Sequence, residues 1–176
     1  MIEKLSDYQK LAITTATYPK KYKIIYPTFE LIEKTIELKN ARGRNNQLKE
    51  IGDCFWPLAN LTNELKFDID GLYEDALDVL ENVIFEDSID AINSMIETSA
   101  KVCGRVKKWL RDEDTKKLPS DDKMIEIEFQ IISFLAAMLY ICKELGCTWQ
   151  EVAQKNIDKL FDRKQRGKIK GSGDDR

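Results

Sequence analysis

Apolar residues recur at three- and four-residue intervals along nearly the whole chain, and the apolar-polar alternation of a half-buried strand is scarcely present. Such a chain buries its apolar stripes by packing helix on helix, so the expected class is all-α. Start signals agree with the periodicity. Ser6 precedes DYQKLAITTAT, Thr28 precedes FELIEKTIELKNA, Ser120 precedes a long apolar segment reaching Leu145, and Thr148 precedes WQEVAQKNIDKLFDRKQ. Further helices fit Gln47 to Leu65, Leu72 to Ile84 and Ser88 to Arg111. Breaks are expected at Tyr18-Pro19, at Tyr26-Pro27, over residues 41–47 and over residues 112–122. Pro57 falls inside a helix and removes one backbone bond, which predicts a kink there.

With 176 residues, 43% of them hydrophobic, the chain can bury one substantial core. Its 28 basic and 31 acidic residues nearly cancel, so no global field points to nucleic acid or to membrane lipid. The longest apolar run, Ile131 to Cys142, is shorter than the roughly 20 residues a bilayer span needs, and reads as a buried helix. The N-terminus lacks an apolar signal core, which predicts a cytoplasmic protein.

Histidine is absent, which removes the commonest general base and every histidine-ligated metal site. Chemistry therefore falls to carboxylates, lysines and arginines. Cys54, Cys103, Cys142 and Cys147 form no Cys-x-x-Cys pair, and the first three lie in apolar helical patterns, as buried free thiols do.

A weak internal repeat organises the chain. KEIGDCFWPLANLTNELKFDIDGL resembles FQIISFLAAMLYICKELGCTWQEV, with Glu64-Leu65 on Glu144-Leu145, and residues 31–38 lie on residues 95–102 if the second copy has the longer connection. Residues 1–85 form the first half, residues 86–167 the second, and residues 168–176 a polar tail. Duplicated helical hairpins of this kind turn a homodimer into one chain, a pseudo-dimer.

Glu33 and Glu37 lie one turn apart on one helix, and Glu50 and Asp53 nearly one turn apart on the next. A short loop between the helices would bring the pairs together. Inward-facing carboxylates call for a cation, and oxygen-only ligands suit Mg2+ or Mn2+. Spacing alone fits solvated surface acids as well, although the stripe of Cys54, Phe55, Leu58, Leu61 and Leu65 places Glu50 and Asp53 near the core.

The run YPTFELIEKTIEL followed by KEIGDCFWPLANLTNEL resembles the MazG-like pattern, Glu-Glu-x-x-Glu on one helix and Glu-x-x-Asp on the next. DYQKLAITTATYP and NIDKLFDRKQRGKIKGSGDDR resemble the flanks of short phage and bacterial members. The resemblance implies an all-α bundle and a magnesium-dependent nucleoside triphosphate pyrophosphohydrolase, which adds water to a triphosphate and releases pyrophosphate. On the matching positions Glu37, Glu50 and Asp53 would be metal ligands, and Glu33 would orient or deprotonate the water. This chain departs from the pattern at Lys34, where the family has its second glutamate. Catalysis with fewer metals, a lysine on phosphate, and binding without cleavage are the three outcomes that substitution allows.

In the repeat alignment Glu37, Glu50 and Asp53 fall on Lys101, Gln130 and Ser133, whereas Asn156, Lys159, Arg163 and Arg166 share one helical face in the second half. One composite site follows: acids from the first half, and substrate contacts from Lys34, Asn156, Lys159, Arg163 and Arg166. A solvated basic face is the plainer reading of that helix taken alone. The run Arg105 to Arg111 reads as helix-end charge before it reads as a phosphate site. Trp56, Trp109 and Trp149 read as packing, and none is assigned to a base. The expected partner is a nucleoside triphosphate or related nucleotide, with no nucleic acid and no membrane. A homo-oligomer fits the family habit, but the duplication could supply the dimer contact within one chain. The competing readings are a nucleotide-binding protein without turnover and a structural all-α interaction protein.

Overall fold

The computed structural model describes residues 1–168. Among them are seven α-helices and no strand: α1 (Leu5–Ile13), α2 (Ile25–Asn40), α3 (Arg44–Leu65), α4 (Ile69–Asn82), α5 (Ser88–Asp112), α6 (Asp121–Glu144) and α7 (Trp149–Gln165), with a 3-10 turn at Lys20–Tyr22. The class is all-α, as the periodicity predicts. The expected polar tail and its GSGD-x-R sequence lie outside the described residues except for Lys168.

Several helices start earlier than the sequence signals suggest. Helix α2 begins at Ile25, three residues before Thr28, because Pro27 occupies the first turn, where a missing N–H leaves no helical bond unmade. The Thr28 hydroxyl is then inside the helix and donates to the Ile24 carbonyl at 2.7 Å. The loop before α3 shrinks to residues 41–43, since Gly43, at φ 79°, takes a backbone that L side chains rarely adopt and turns the chain directly into Arg44. Helix α4 starts at Ile69 because the Asp68 carboxylate caps it, accepting from the Asp70 N–H at 3.2 Å.

Two hairpins, α2–α3 and α5–α6, pack through α2 against α5. Each following helix lies on the opposite hairpin: α4 packs on α6, and α7 packs on α3, while α1 bridges α3 and α7. The ends of α3 and α6 are built alike. Lys66 and Gly146 take left-handed φ of 67° and 63°. The next N–H reaches back to a carbonyl five residues earlier, Phe67 to Thr62 and Cys147 to Cys142, each at 3.0 Å.

The core is continuous through both hairpins. Leu31, Ile51, Phe55, Leu58, Leu61, Met95, Ile131, Phe134 and Met138 are all at most 1% exposed. Helix α6 carries the run Ile131 to Cys142 and extends it to 24 residues, with mean hydropathy 1.7 over its most apolar 18. Length and apolarity alone would suit a membrane-crossing helix, but here 56% of that window is buried inside the fold. All four cysteines are free; Cys54 and Cys142 are buried, and Cys103 and Cys147 half-buried.

Candidate functional site

Glu30, Lys34 and Glu37 follow one another at i, i+4, i+7 on α2, beside the buried stripe of Pro27, Leu31, Thr35 and Leu38. The core therefore holds this row at the edge of the α2–α3 seam, half in and half out of water. The Lys34 ammonium donates to Glu37 Oε2 at 2.8 Å. Burial works against its charge, but that hydrogen bond and the carboxylates of Glu37, Glu30 and Asp53 prevail and raise its pKa.

On α3, Ile51, Cys54, Phe55 and Leu58 bury the opposite side, which leaves Glu50 and Asp53 half-buried. Pro57 lies four residues beyond Asp53, so its ring nitrogen removes the helical donor for the Asp53 carbonyl.

Helix α7 completes the site from the other half of the chain. Asn156, 4% exposed, donates its amide to Asp53 Oδ1 at 2.6 Å, and the Lys159 ammonium contacts the same oxygen. The Tyr8 hydroxyl of α1 donates to Asn156 Oδ1 at 2.8 Å, which fixes the amide with its N–H groups toward the carboxylate. Burial, then the charge of Asp53, pushes the Tyr8 pKa upward and keeps it a donor.

Glu30 is the side chain that sequence reasoning missed. Its Oε2 is buried without a hydrogen-bond partner. Burial raises its pKa, with Glu33 and Asp53 adding to the shift and Lys34 and the Tyr26 hydroxyl opposing it. The available signal was its spacing, one turn before Lys34 and two before Glu37.

The remaining assignments divide. Glu33 sits one turn from Glu37 but is exposed. Arg163 is buried, at 5% exposed. Arg166 is exposed and pairs within its own helix, with its Nη2 2.6 Å from Asp162 Oδ2. In the run Arg105 to Arg111, Arg105 pairs with Glu126 across the α5–α6 hairpin and Arg111 with Asp112 at the end of α5. Trp56 packs with Tyr18 and Tyr26, at ring separations of 6.1 and 6.4 Å, and donates to Thr15 Oγ1 at 2.8 Å. Trp149 packs on Phe55 and Tyr73, and Trp109 is buried.

The acids expected to hold a metal can be tested on their partners. Glu37 faces Lys34, and Asp53 faces Lys159 and Asn156. Among the described residues no three carboxylates or thiols converge as a ligand set. In this arrangement lysine ammoniums stand against Glu37 and Asp53, so a divalent ion reaching these acids meets those ammoniums as competitors.

The chain is similar to the Gene 37 protein of Mycobacterium phage L5, 31% identical over 94 residues, an alignment spanning 51% of this chain and 81% of the phage protein. The chain belongs to the family of that phage protein. No family model and no solved structure matches it. This kinship gives the chain a phage relative and leaves its chemistry to be argued from the side chains.

Proposed function

We propose that this chain is a nucleoside triphosphate pyrophosphohydrolase of the MazG-like kind, converting NTP or dNTP and water to the monophosphate and pyrophosphate. The observation that carries this reading is the meeting at Asp53. An acid row on α2 and α3 faces an amide and an ammonium from α7, 103 and 106 residues further along the chain. Carboxylates beside cationic and amide donors suit a substrate that is itself a polyanion carrying metal: the donors hold phosphate oxygens and the acids face the ion. Mg2+, or Mn2+ in its place, would enter with the triphosphate as part of the substrate. Asn156 and Lys159 would bind phosphate, Arg163 would add charge behind them, and Glu37, Glu50 and Asp53 would line the metal side. Water is added across the α–β phosphoanhydride, and its proton passes to a carboxylate of the outer turn of α2. The resemblance gives that role to Glu33, and Glu30 has the buried environment that suits it.

The packing supports a MazG-like bundle made by duplication. Each hairpin receives the helix that follows the other, and α3 and α6 end in matching left-handed turns 80 residues apart, at Lys66 and Gly146.

The test is pyrophosphate release from a panel of ribo- and deoxyribonucleoside triphosphates with Mg2+ or Mn2+. Release from wild type that falls at least a hundredfold in Glu50→Gln supports the reading; release unchanged by that substitution overturns it. One observation favours a second reading, nucleotide binding without turnover: the ammonium of Lys34 sits among Glu30, Glu37 and Asp53, where it opposes a metal ion. That reading expects tight binding, no release by wild type, and release gained in Lys34→Glu.

A further inference from the structure

Helices α2 and α5 each bury one face in the core, and the outer side of the seam between them is apolar. On α2, Phe29, Ile32 and Ile36 follow one another at i, i+3, i+7, with Phe29 59% exposed. On α5, Ile89, Ile96, Cys103 and Leu110 recur every seven residues, with Ile89 65% exposed and Leu110 exposed as well. The two stripes share one surface. Cys103 Sγ donates to the Thr28 carbonyl at 3.6 Å and Lys39 Nζ to Asn93 Oδ1 at 3.2 Å, so the helices run antiparallel and Ile32 lies level with Ser99 and Ala100. Glu30, Lys34 and Glu37 occupy the other flank of α2, toward α3, so this surface is separate from the site described above.

We propose that two copies of the chain associate through this surface, face to face about a two-fold axis that crosses the helices at Ile32 and Ala100, with α5 antiparallel to α5 of the second copy. Both stripes are centred on that level: Phe29 and Ile36 flank Ile32, and Ile89 and Leu110 lie at nearly equal distances from Ala100. A two-fold operation therefore lays apolar on apolar along the whole seam. Size matches as well. Ala100 faces its own counterpart, and Ile96 faces Gly104 of the second copy. Glycine weakens a helix interior, and a Cβ at Gly104 would meet nothing within 4 Å, so no packing inside the chain calls for it. Charge selects the antiparallel sense. Residues 88–100 carry Asp90 and Glu97 and no base, whereas residues 101–112 carry five bases and one acid. Glu97 pairs with Lys101, Arg105 with Glu126 and Arg111 with Asp112, which leaves Asp90 and Lys107 without a salt bridge among the described residues. The antiparallel arrangement brings Asp90 of each copy within about one turn of Lys107 of the other. The chain's own C-terminal residues do not suit the surface, since residues 169–176 contain a single apolar side chain, Ile169.

The experiment is sedimentation equilibrium over a range of concentrations, in which wild type should approach twice the 20.4 kDa mass of one chain. Phe29→Glu and Gly104→Gln should each weaken association at least tenfold, while Ile125→Glu, at a comparably exposed position on α6 outside the seam, should leave it unchanged. Gly104→Gln installs a better helix former in open space, so its effect cannot come from a lost fold. Orientation is read by oxidation with copper phenanthroline. Ala100→Cys should give a disulfide-linked dimer above the wild-type level. Lys107→Cys should not, because a rise of 1.5 Å per residue sets that position about 20 Å from its counterpart. A monomer at every concentration would overturn the proposal, as would a dimer that Phe29→Glu and Gly104→Gln leave intact or that Ile125→Glu weakens equally. Failure of Ala100→Cys to cross-link, or cross-linking through Lys107→Cys, would overturn the antiparallel arrangement about Ala100.

Discussion

Glu30 is the residue whose setting departs furthest from what a surface glutamate has, and it makes a prediction of sign. In the unfolded chain it ionises near the ordinary value of 4.5; in the folded chain burial holds its proton to higher pH. The folded state therefore binds more protons in the window above 4.5, and stability falls as pH rises through it. Glu30→Gln should remove that fall, giving urea midpoints that decline less than wild type across the window; an unchanged decline would place Glu30 outside any such role. If Glu30 also serves the reaction, the same substitution lowers kcat more than Glu33→Gln does. Glu37, Asp53, Asn156 and Lys159 were legible in the sequence because spacing and a motif both marked them. Glu30 was not, because a motif read from Glu33 onward passes over a residue whose only signal is its place on the wheel. Arg166 shares the predicted face of α7 and pairs there with Asp162 one turn earlier, a partner that the face alone does not reveal.

At the scale of helices, type and number follow from periodicity, while boundaries follow from local chemistry that periodicity does not carry. Helices α6 and α7 begin directly after Ser120 and Thr148, where the start signals place them, and α5 begins at Ser88 as its range predicts; the Asp87 and Thr148 side chains cap their helices, whereas that of Ser120 makes no cap bond. Helix α2 does not begin at its signal, because a proline that reads as a break is tolerated in a first turn. The end of α3 carries avoidable strain, since Lys66 holds a left-handed backbone at φ 67° where its counterpart in α6 is a glycine. Lys66→Gly should raise stability by up to about 1 kcal/mol, read as a higher urea midpoint at unchanged slope; a loss of stability would contradict the strain. Deep in α6, Phe134 is fully buried, and Phe134→Ala should cost about 3–5 kcal/mol. A loss below about 1 kcal/mol, the size expected for a surface position, would contradict the central place of α6.

Across the whole molecule, the proposed function divides the labour between the two halves. The first supplies carboxylates on α2 and α3, the second supplies α7, and the exchange of following helices between hairpins is what carries α7 onto α3. On the duplication proposed above, the repeat is faint in sequence because the core positions of two helical hairpins constrain side-chain size more than identity, and polar positions are free to diverge. The most direct measurement of the composite site is a double-mutant cycle on Asp53→Asn and Lys159→Gln, read in the Kd of a non-hydrolysable nucleoside triphosphate with Mg2+. If acids and cations from the two halves grip one ligand, the two losses couple by at least about 1 kcal/mol. Losses that simply add, or a Kd that neither substitution moves, would contradict a single site shared by both halves.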